Sequence, residues 1–348
     1  MDARAESSLK WFARFAWFVL AYNIPVILWG AYVRISFSGD GCGAHWPFCN
    51  GQVLPRNMAA PMAIEFTHRI MTSLDSFLMI GLCVWAFRAF PRKHGVRLYA
   101  VLSLVFLFVE AFLGAGLVLL RYVAHDQSAG RAVYLSAHLT NTMLLLGAMS
   151  VTALLASRNR ERAGFGSISA RLGIALLVTV FVSITGAITA LGDTLFPASS
   201  LAAGVAQDWS RTSSLLLRLR VVHPAIAITG ALYLLYVALG VLRHHRSEYT
   251  RTAAARVLSL TLFQLAVGAV NLGLLAPLPM QILHLLVADV LWIALVLMVT
   301  EAVASASIKY GAEKAAGHRD LEFPIGVERP EKTGSGRAAN SGERWLAG

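Results

Sequence analysis

The five residues Glu65-Phe66-Thr67-His68-Arg69 bring a carboxylate, an imidazole and a guanidinium together at the start of a long apolar run. Residues three apart share one face of a helix, so Glu65 and His68 would act on the same space. An imidazole can ligate a metal or carry a proton, and a carboxylate beside it can handle a proton or stabilise developing positive charge. His138, His223 and His284 lie in the same setting, each four to seven residues inside its own apolar run. One buried histidine is ordinarily a satisfied packing residue. Four in one setting point to ligands, because ionisable groups inside such runs are costly and mark a working site.

The elements that must position these side chains are membrane spans. Apolar residues make up 57% of the 348 and charged residues 14%, with a mean hydropathy of +0.61, which excludes an ordinary soluble domain. Eight runs of about 20 residues, enough for a helix to cross a bilayer, lie at roughly 11–33, 64–87, 97–120, 134–156, 172–191, 216–242, 257–276 and 280–303. The first is longer than a signal-peptide core and lacks a small-residue cleavage site, so it reads as a span.

The net charge of +11 belongs to loops and tail, not to a nucleic-acid surface. Arg4, Lys10 and Arg14 precede span 1, Arg88, Arg92, Lys93 and Arg97 follow span 2, Arg158, Arg160, Arg162 and Arg171 follow span 4, and Arg243, Arg246, Arg251 and Arg256 follow span 6. The opposite loops carry Arg34 and Arg56, then Arg121 and Arg131, then Arg211. By the positive-inside rule both termini are cytoplasmic, and the loop holding Cys42 and Cys49 lies outside, where disulfides persist. Cys83 falls within a span.

The halves read as a repeat. Gly30-Ala31 echoes Gly186-Ala187, His68 echoes His223, and Glu110 with Gly114-Ala115 echoes Gln264 with Gly268-Ala269, at offsets of 156, 155 and 154 residues. Four spans per half preserve orientation, which predicts two pseudo-symmetric four-helix bundles in an all-α integral membrane protein. The organisation expected is a cytoplasmic N-terminus (1–10), an N-terminal four-helix half (11–156), a cytoplasmic linker (157–171), a C-terminal half (172–303) and a disordered cytoplasmic tail (304–348).

Two imidazoles per bundle under-fill a zinc site, which takes four ligands or three plus water. They suit the two axial positions of a haem iron, whose porphyrin supplies the other four nitrogens. All four histidines share one depth in the outer half, which argues against electron transfer across the membrane. Glu65 precedes His68, whereas Leu217-Arg218-Leu219-Arg220 before His223 contains no acid, so only the first half has a charge handler beside its imidazole. Asp75, Glu110 and Asp289 read as hydrogen-bond partners of the ligands or of haem propionates, and Arg34, Arg69, Arg218 and Arg220 as propionate partners or as snorkelling side chains. For Glu65 the bland alternative is a carboxylate paired with Arg69 or Arg34.

Gly30-Ala-Tyr-Val-Arg34-Ile-Ser-Phe-Ser-Gly39, Gly41-Cys42-Gly-Ala-His-Trp46-Pro47-Phe-Cys49-Asn-Gly51, Pro55 and Glu65-Phe-Thr-His68-Arg69 strongly resemble the haem A synthase family over about residues 11–303. The resemblance implies a bacterial-type cytoplasmic-membrane oxidoreductase that converts haem O to haem A for terminal oxidases. A porphyrin methyl is hydroxylated twice to a gem-diol that loses water to a formyl group. It implies that His68 and His138 flank the substrate haem O, that His223 and His284 ligate a resident haem B, that Glu65 is the catalytic acid, and that Cys42 and Cys49 form an external disulfide. That disulfide is read as structural in preference to an electron relay. Haem O synthase (the protohaem farnesyltransferase), oxidase assembly factors and an electron-transfer partner are the implied associates, with a homo-oligomer left open. The rival readings are a non-catalytic di-haem electron carrier and a haem-transfer protein.

Overall fold

The computed structural model describes residues 3–165, 168–210 and 215–319, and Arg211 of the charge pattern lies outside them. Among the described residues all regular structure is helical: α1 (Ala3–Ile35), α2 (Ala60–Ala89), α3 (Gly95–Leu119), α4 (Ala129–Arg158), α5 (Ala170–Leu195), α6 (Leu201–Asp208), α7 (Leu215–His244), α8 (Glu248–Gly273) and α9 (Leu278–Arg319), with one 3-10 turn at Ser38–Asp40. Eight of these are long and apolar enough to cross a membrane, in agreement with the eight expected spans. The protein is a multi-pass membrane protein. The short α6 breaks a stretch that sequence composition leaves as loop, and Ser200 starts it by accepting a hydrogen bond from the Ala203 N–H at 3.1 Å.

A compact unit, Met1–Ser307, contains every candidate site residue, and Ile308–Gly348 form a second unit. Where composition reads as a disordered tail from 304 onward, α9 continues to Arg319. Ala312, Glu313, Lys314, Ala315 and Ala316 are all strong helix formers, and propensity sustains a helix there without an apolar stripe. Positions 320–348 of the expected tail lie outside the described residues.

Helices α1 to α4 close on themselves: α1 touches α2 and α4, α2 touches α3, and α3 touches α4. In the second half α5 packs on α7 and α7 on α8, while α8 meets α9 where Gly268 faces His284. This arrangement is consistent with two four-helix groups. They join through α4, whose most apolar stretch is 83% buried against 17–44% for the other spans. Small and flexible residues let neighbours approach this central helix: Gly147 lies beside Trp292, whose indole N–H donates to the Met143 carbonyl at 2.7 Å. With α5 also against α4, lipid-facing apolar side chains such as Phe77, Phe112 and Leu177 are left on the outside of the bundle.

Two polar clasps hold the halves together. At one end Arg158 donates to Glu301 at 3.1 Å and Arg160 to its other oxygen at 2.9 Å, with the Arg158 guanidinium 3.7 Å over the Tyr249 ring. At the other end Arg34 of α1 donates to Thr194 of α5 at 3.2 Å and to Gln281 of α9 at 3.4 Å. Glu301 is almost wholly buried, so removing its charge strands two cations. Glu301→Gln is expected to cost on the order of 2 kcal/mol, the scale of lost charge-assisted hydrogen bonds, seen as a lower unfolding midpoint of the detergent-solubilised protein. An unchanged midpoint would show the clasp to be idle.

Candidate functional site

His68, His138, His223 and His284 fall between six and nine residues after the start of their spans at Ala60, Ala129, Leu216 and Leu278. At ~1.5 Å of rise per residue that spread is about 4.5 Å. The four imidazoles therefore occupy one level at one end of the molecule. All four are half-buried.

Each imidazole lies against a glycine on a neighbouring helix. A Cβ placed on Gly30 of α1 would come 3.0 Å from Cε1 and 3.2 Å from Nε2 of His68. One on Gly186 of α5 would come 3.1 Å from Cε1 of His223, and one on Gly268 of α8 would come 3.0 Å from Cε1 of His284. Gly114 of α3 faces His138 at a looser 3.8 Å. These are the glycines whose echo marks the sequence repeat. Their spacing is legible in sequence; their function as seats for the rings is not, because nothing in one chain says which side chain a helical glycine will meet.

The imidazoles are arranged in pairs. His68 and His138 lie close enough to interact electrostatically, as do His223 and His284. Among the described residues no three of His, Cys, Asp or Glu are grouped so as to hold a metal ion, so each pair stands without further protein ligands. Buried ring nitrogens lack hydrogen bonds: Nδ1 of His68 and of His284 have none, and Nδ1 of His138 has only an unaligned approach from Glu110 Oε1 at 3.3 Å. His223 Nδ1 lies 3.0 Å from the Thr185 hydroxyl, which holds the ring. Two imidazoles with unsatisfied nitrogens and no third ligand fit a group that brings its own equatorial donors, as haem does.

Glu65 is buried beneath the α1–α2 loop. Its Oε2 accepts the Cys42 N–H at 2.9 Å and its Oε1 accepts Arg69 Nη2 at 2.6 Å. Arg69 then reaches through Nη1 to the carbonyls of His45 at 2.8 Å, Pro47 at 3.2 Å and Phe48 at 2.8 Å. Cys42 and Cys49 are disulfide-bonded with their Cα atoms 4.5 Å apart, closing the loop that these contacts hold. A Cβ on Gly41 would come within 2.5 Å of the Pro61 carbonyl, so this loop rests directly on the first turn of α2. The pairing of Glu65 with Arg69 weighed from the sequence is present, and the Cys42 N–H adds a second, unforeseen anchor. The carboxylate is thereby fixed one turn before His68.

The remaining sequence candidates separate. Arg220 is enclosed by protein acceptors, donating to Asp208 at 2.5 Å, Phe196 at 3.1 Å and Gln207 at 3.2 Å. Arg34 donates to two neutral acceptors, Thr194 and Gln281, near the Asp193 carboxylate, and Arg218 lies on α7. Glu110 joins His138, held by Asn141 at 2.6 Å and by the Thr142 hydroxyl. Asp75 instead accepts from Asn23 at 2.9 Å, two turns deeper than His68. Asp289 Oδ2 is buried without a partner among the described residues.

Fold and candidate site together describe a helical membrane protein with eight apolar spans, in which four half-buried histidines lie near one another in two pairs, His68 with His138 and His223 with His284. Residues 13–296 match the Cytochrome oxidase assembly protein family, and the chain belongs to that family. It is 41% identical over 312 residues to a Thermus thermophilus protein named Protoheme IX farnesyltransferase, a match covering 88% of this chain and 51% of the relative. It is also 34% identical over 110 residues to the Heme A synthase of Exiguobacterium sp. (32% of this chain, 36% of the relative) and 36% identical over 113 residues to that of Geobacillus kaustophilus (32% and 35%). The chain spans about half the length of the longest-matching of these relatives, and about a third of the others.

The glycine seats yield a graded series. Alanine at 30, 186 or 268 forces a methyl into van der Waals overlap with an imidazole, overpacking that costs about 1–3 kcal/mol. Each of these variants is expected to lose at least tenfold in retained haem per protein, measured by pyridine haemochrome, whereas Gly114→Ala loses less than twofold. Equal losses at all four positions would contradict ring seating as the reason for the glycines.

Proposed function

We propose that this chain is a haem A synthase: it binds haem O between His68 and His138, holds haem B between His223 and His284, and oxidises a methyl of haem O to a formyl group. The observation that carries this reading is the asymmetry between two otherwise matching imidazole pairs. Glu65, buried and anchored by Arg69 and Cys42, stands one turn before His68, while the corresponding turn before His223 is Leu217-Arg218-Leu219-Arg220. One pair thus has a carboxylate poised for chemistry and the other has the composition of a holding site. Family membership and the Heme A synthase relatives support the same assignment.

In this reading the chain's own groups have distinct tasks. The two imidazoles of the first half fix the porphyrin by its iron, so that its reacting edge is held still relative to Glu65. Glu65, held in place by its two donors, takes the proton or balances the positive charge that develops as the methyl is oxidised. The disulfide-closed loop covers this end of α2 and keeps the carboxylate from bulk water. Arg34, whose hydrogen-bond acceptors Thr194 and Gln281 are neutral, is a cation available to a propionate. Haem B supplies electron-transfer capacity to the second half when bound.

The positive-inside pattern supports a disulfide loop outside the cytoplasmic membrane with both termini inside. The Thermus relative carries a farnesyltransferase name and about as much chain again beyond the matched region. This supports an enzyme that makes haem O working beside the present chain, since a poorly soluble porphyrin is best passed at short range.

The decisive test supplies haem O to cells expressing the chain, extracts non-covalent haems into acid solvent and identifies them by chromatography and mass. The expected extract contains haem B with haem A or its hydroxylated precursor. In Glu65→Ala, product is expected to fall at least a hundredfold with both haems retained. Unmodified haem O in the wild-type preparation, or undiminished product in Glu65→Ala, would favour the electron-carrier or haem-transfer reading.

A further inference from the structure

Glu110 is the only carboxylate in direct reach of any of the four imidazoles among the described residues, with Oε1 3.3 Å from His138 Nδ1. It is held by helix α4 itself. Asn141 donates to its Oε2 at 2.6 Å while also bonding the Phe106 carbonyl at 2.8 Å, and the Thr142 hydroxyl donates to Oε1 and lies 3.0 Å from the His138 carbonyl. These donors lie three and four residues after His138, so ring and carboxylate are fixed to one turn of one helix.

The second half changes both the ring nitrogen that is approached, Nε2 of His284 in place of Nδ1 of His138, and the chemistry. Gln264 stands at the repeat position of Glu110, with its Nε2 3.3 Å from His284 Nε2 and 3.2 Å from the His284 carbonyl. An amide orients a ring but brings no charge. A carboxylate that accepts an imidazole N–H fixes the tautomer and raises the ligand's basicity, and its charge favours the ferric over the ferrous state of a ligated iron.

We infer that Glu110 is a positioning residue that acts through His138 to hold the first-half haem at a lower reduction potential than the second-half haem, Gln264 being the neutral counterpart that leaves the second high. This rests on the haem reading of the two imidazole pairs. It makes the two halves unequal in electron affinity as well as in the presence of Glu65, so that electrons leaving the first site run downhill to the second.

The test is an optical redox titration of the detergent-solubilised full chain loaded with haem, with the second-half wave assigned by its loss in His284→Ala. Glu110→Gln preserves shape and removes charge. It is expected to shift the first wave toward the reduced form by about tenfold in equilibrium constant, 59 mV for a one-electron couple, and to leave the second within twofold. Gln264→Glu is expected to shift the second wave about tenfold the other way. Unmoved waves in either variant, or equal shifts of both waves, would overturn the role of Glu110. Should Glu110→Gln lose its haem, Gln264→Glu decides alone. Absence of haem from the wild-type protein would overturn the haem reading itself, a result distinct from haem that is present with unmoved waves.

Discussion

A planar ring can stand between two closely packed helices only where one helix has no side chain in its way. Three of the four imidazoles lie so near a glycine of the adjoining helix that a single methyl there would come within 3.0–3.1 Å of the ring. In a membrane bundle small residues let backbones approach and polar side chains must find a purpose in the interior. Here the small residue admits the polar one. The repetition of the arrangement from half to half follows that contact, which restricts the ring to its seat on the neighbouring helix at three of the four positions.

The first half carries acidic groups that the second lacks at the corresponding positions of the sequence repeat. Glu65 is fastened to the Cys42–Cys49 loop and to Arg69, so covalent closure of the loop, its seating on α2 and the placement of the carboxylate are one construction. Glu110 and the buried Asn23–Asp75 contact lie in the same half. The repeat places Gln264 opposite Glu110 and no acid opposite Glu65. In the proposed function this difference in carboxylates separates a reactive site from an auxiliary one within a single chain. The Arg34 and Glu301 clasps keep the two in fixed register.

The spans were legible in sequence because bilayer length and apolar composition leave few alternatives, and the histidines because their depth repeats. The glycine seats left only a faint trace, the Gly-Ala echo at 30, 114, 186 and 268, since a contact between helices is a property of packing and not of local pattern. Helix α6 was hidden in a loop of mixed composition, and its capping by Ser200 is too short a signal to stand out from neighbouring serines. Arg220 shows the limit of reading charge alone: from sequence it was a candidate for propionates, yet Asp208, brought near by α6, occupies it. The helical course of α9 to Arg319 shows likewise that a lack of apolar periodicity does not forbid a helix of strong formers.

The most direct test of paired, half-autonomous sites is the haem content and low-spin spectrum of four single variants, His68→Ala, His138→Ala, His223→Ala and His284→Ala. The first two are expected to lose one and the same haem and keep the other, and the last two to show the reverse. Loss of both haems from any single variant, or a shared loss between His68→Ala and either His223→Ala or His284→Ala, would contradict a pair of sites built one to each half.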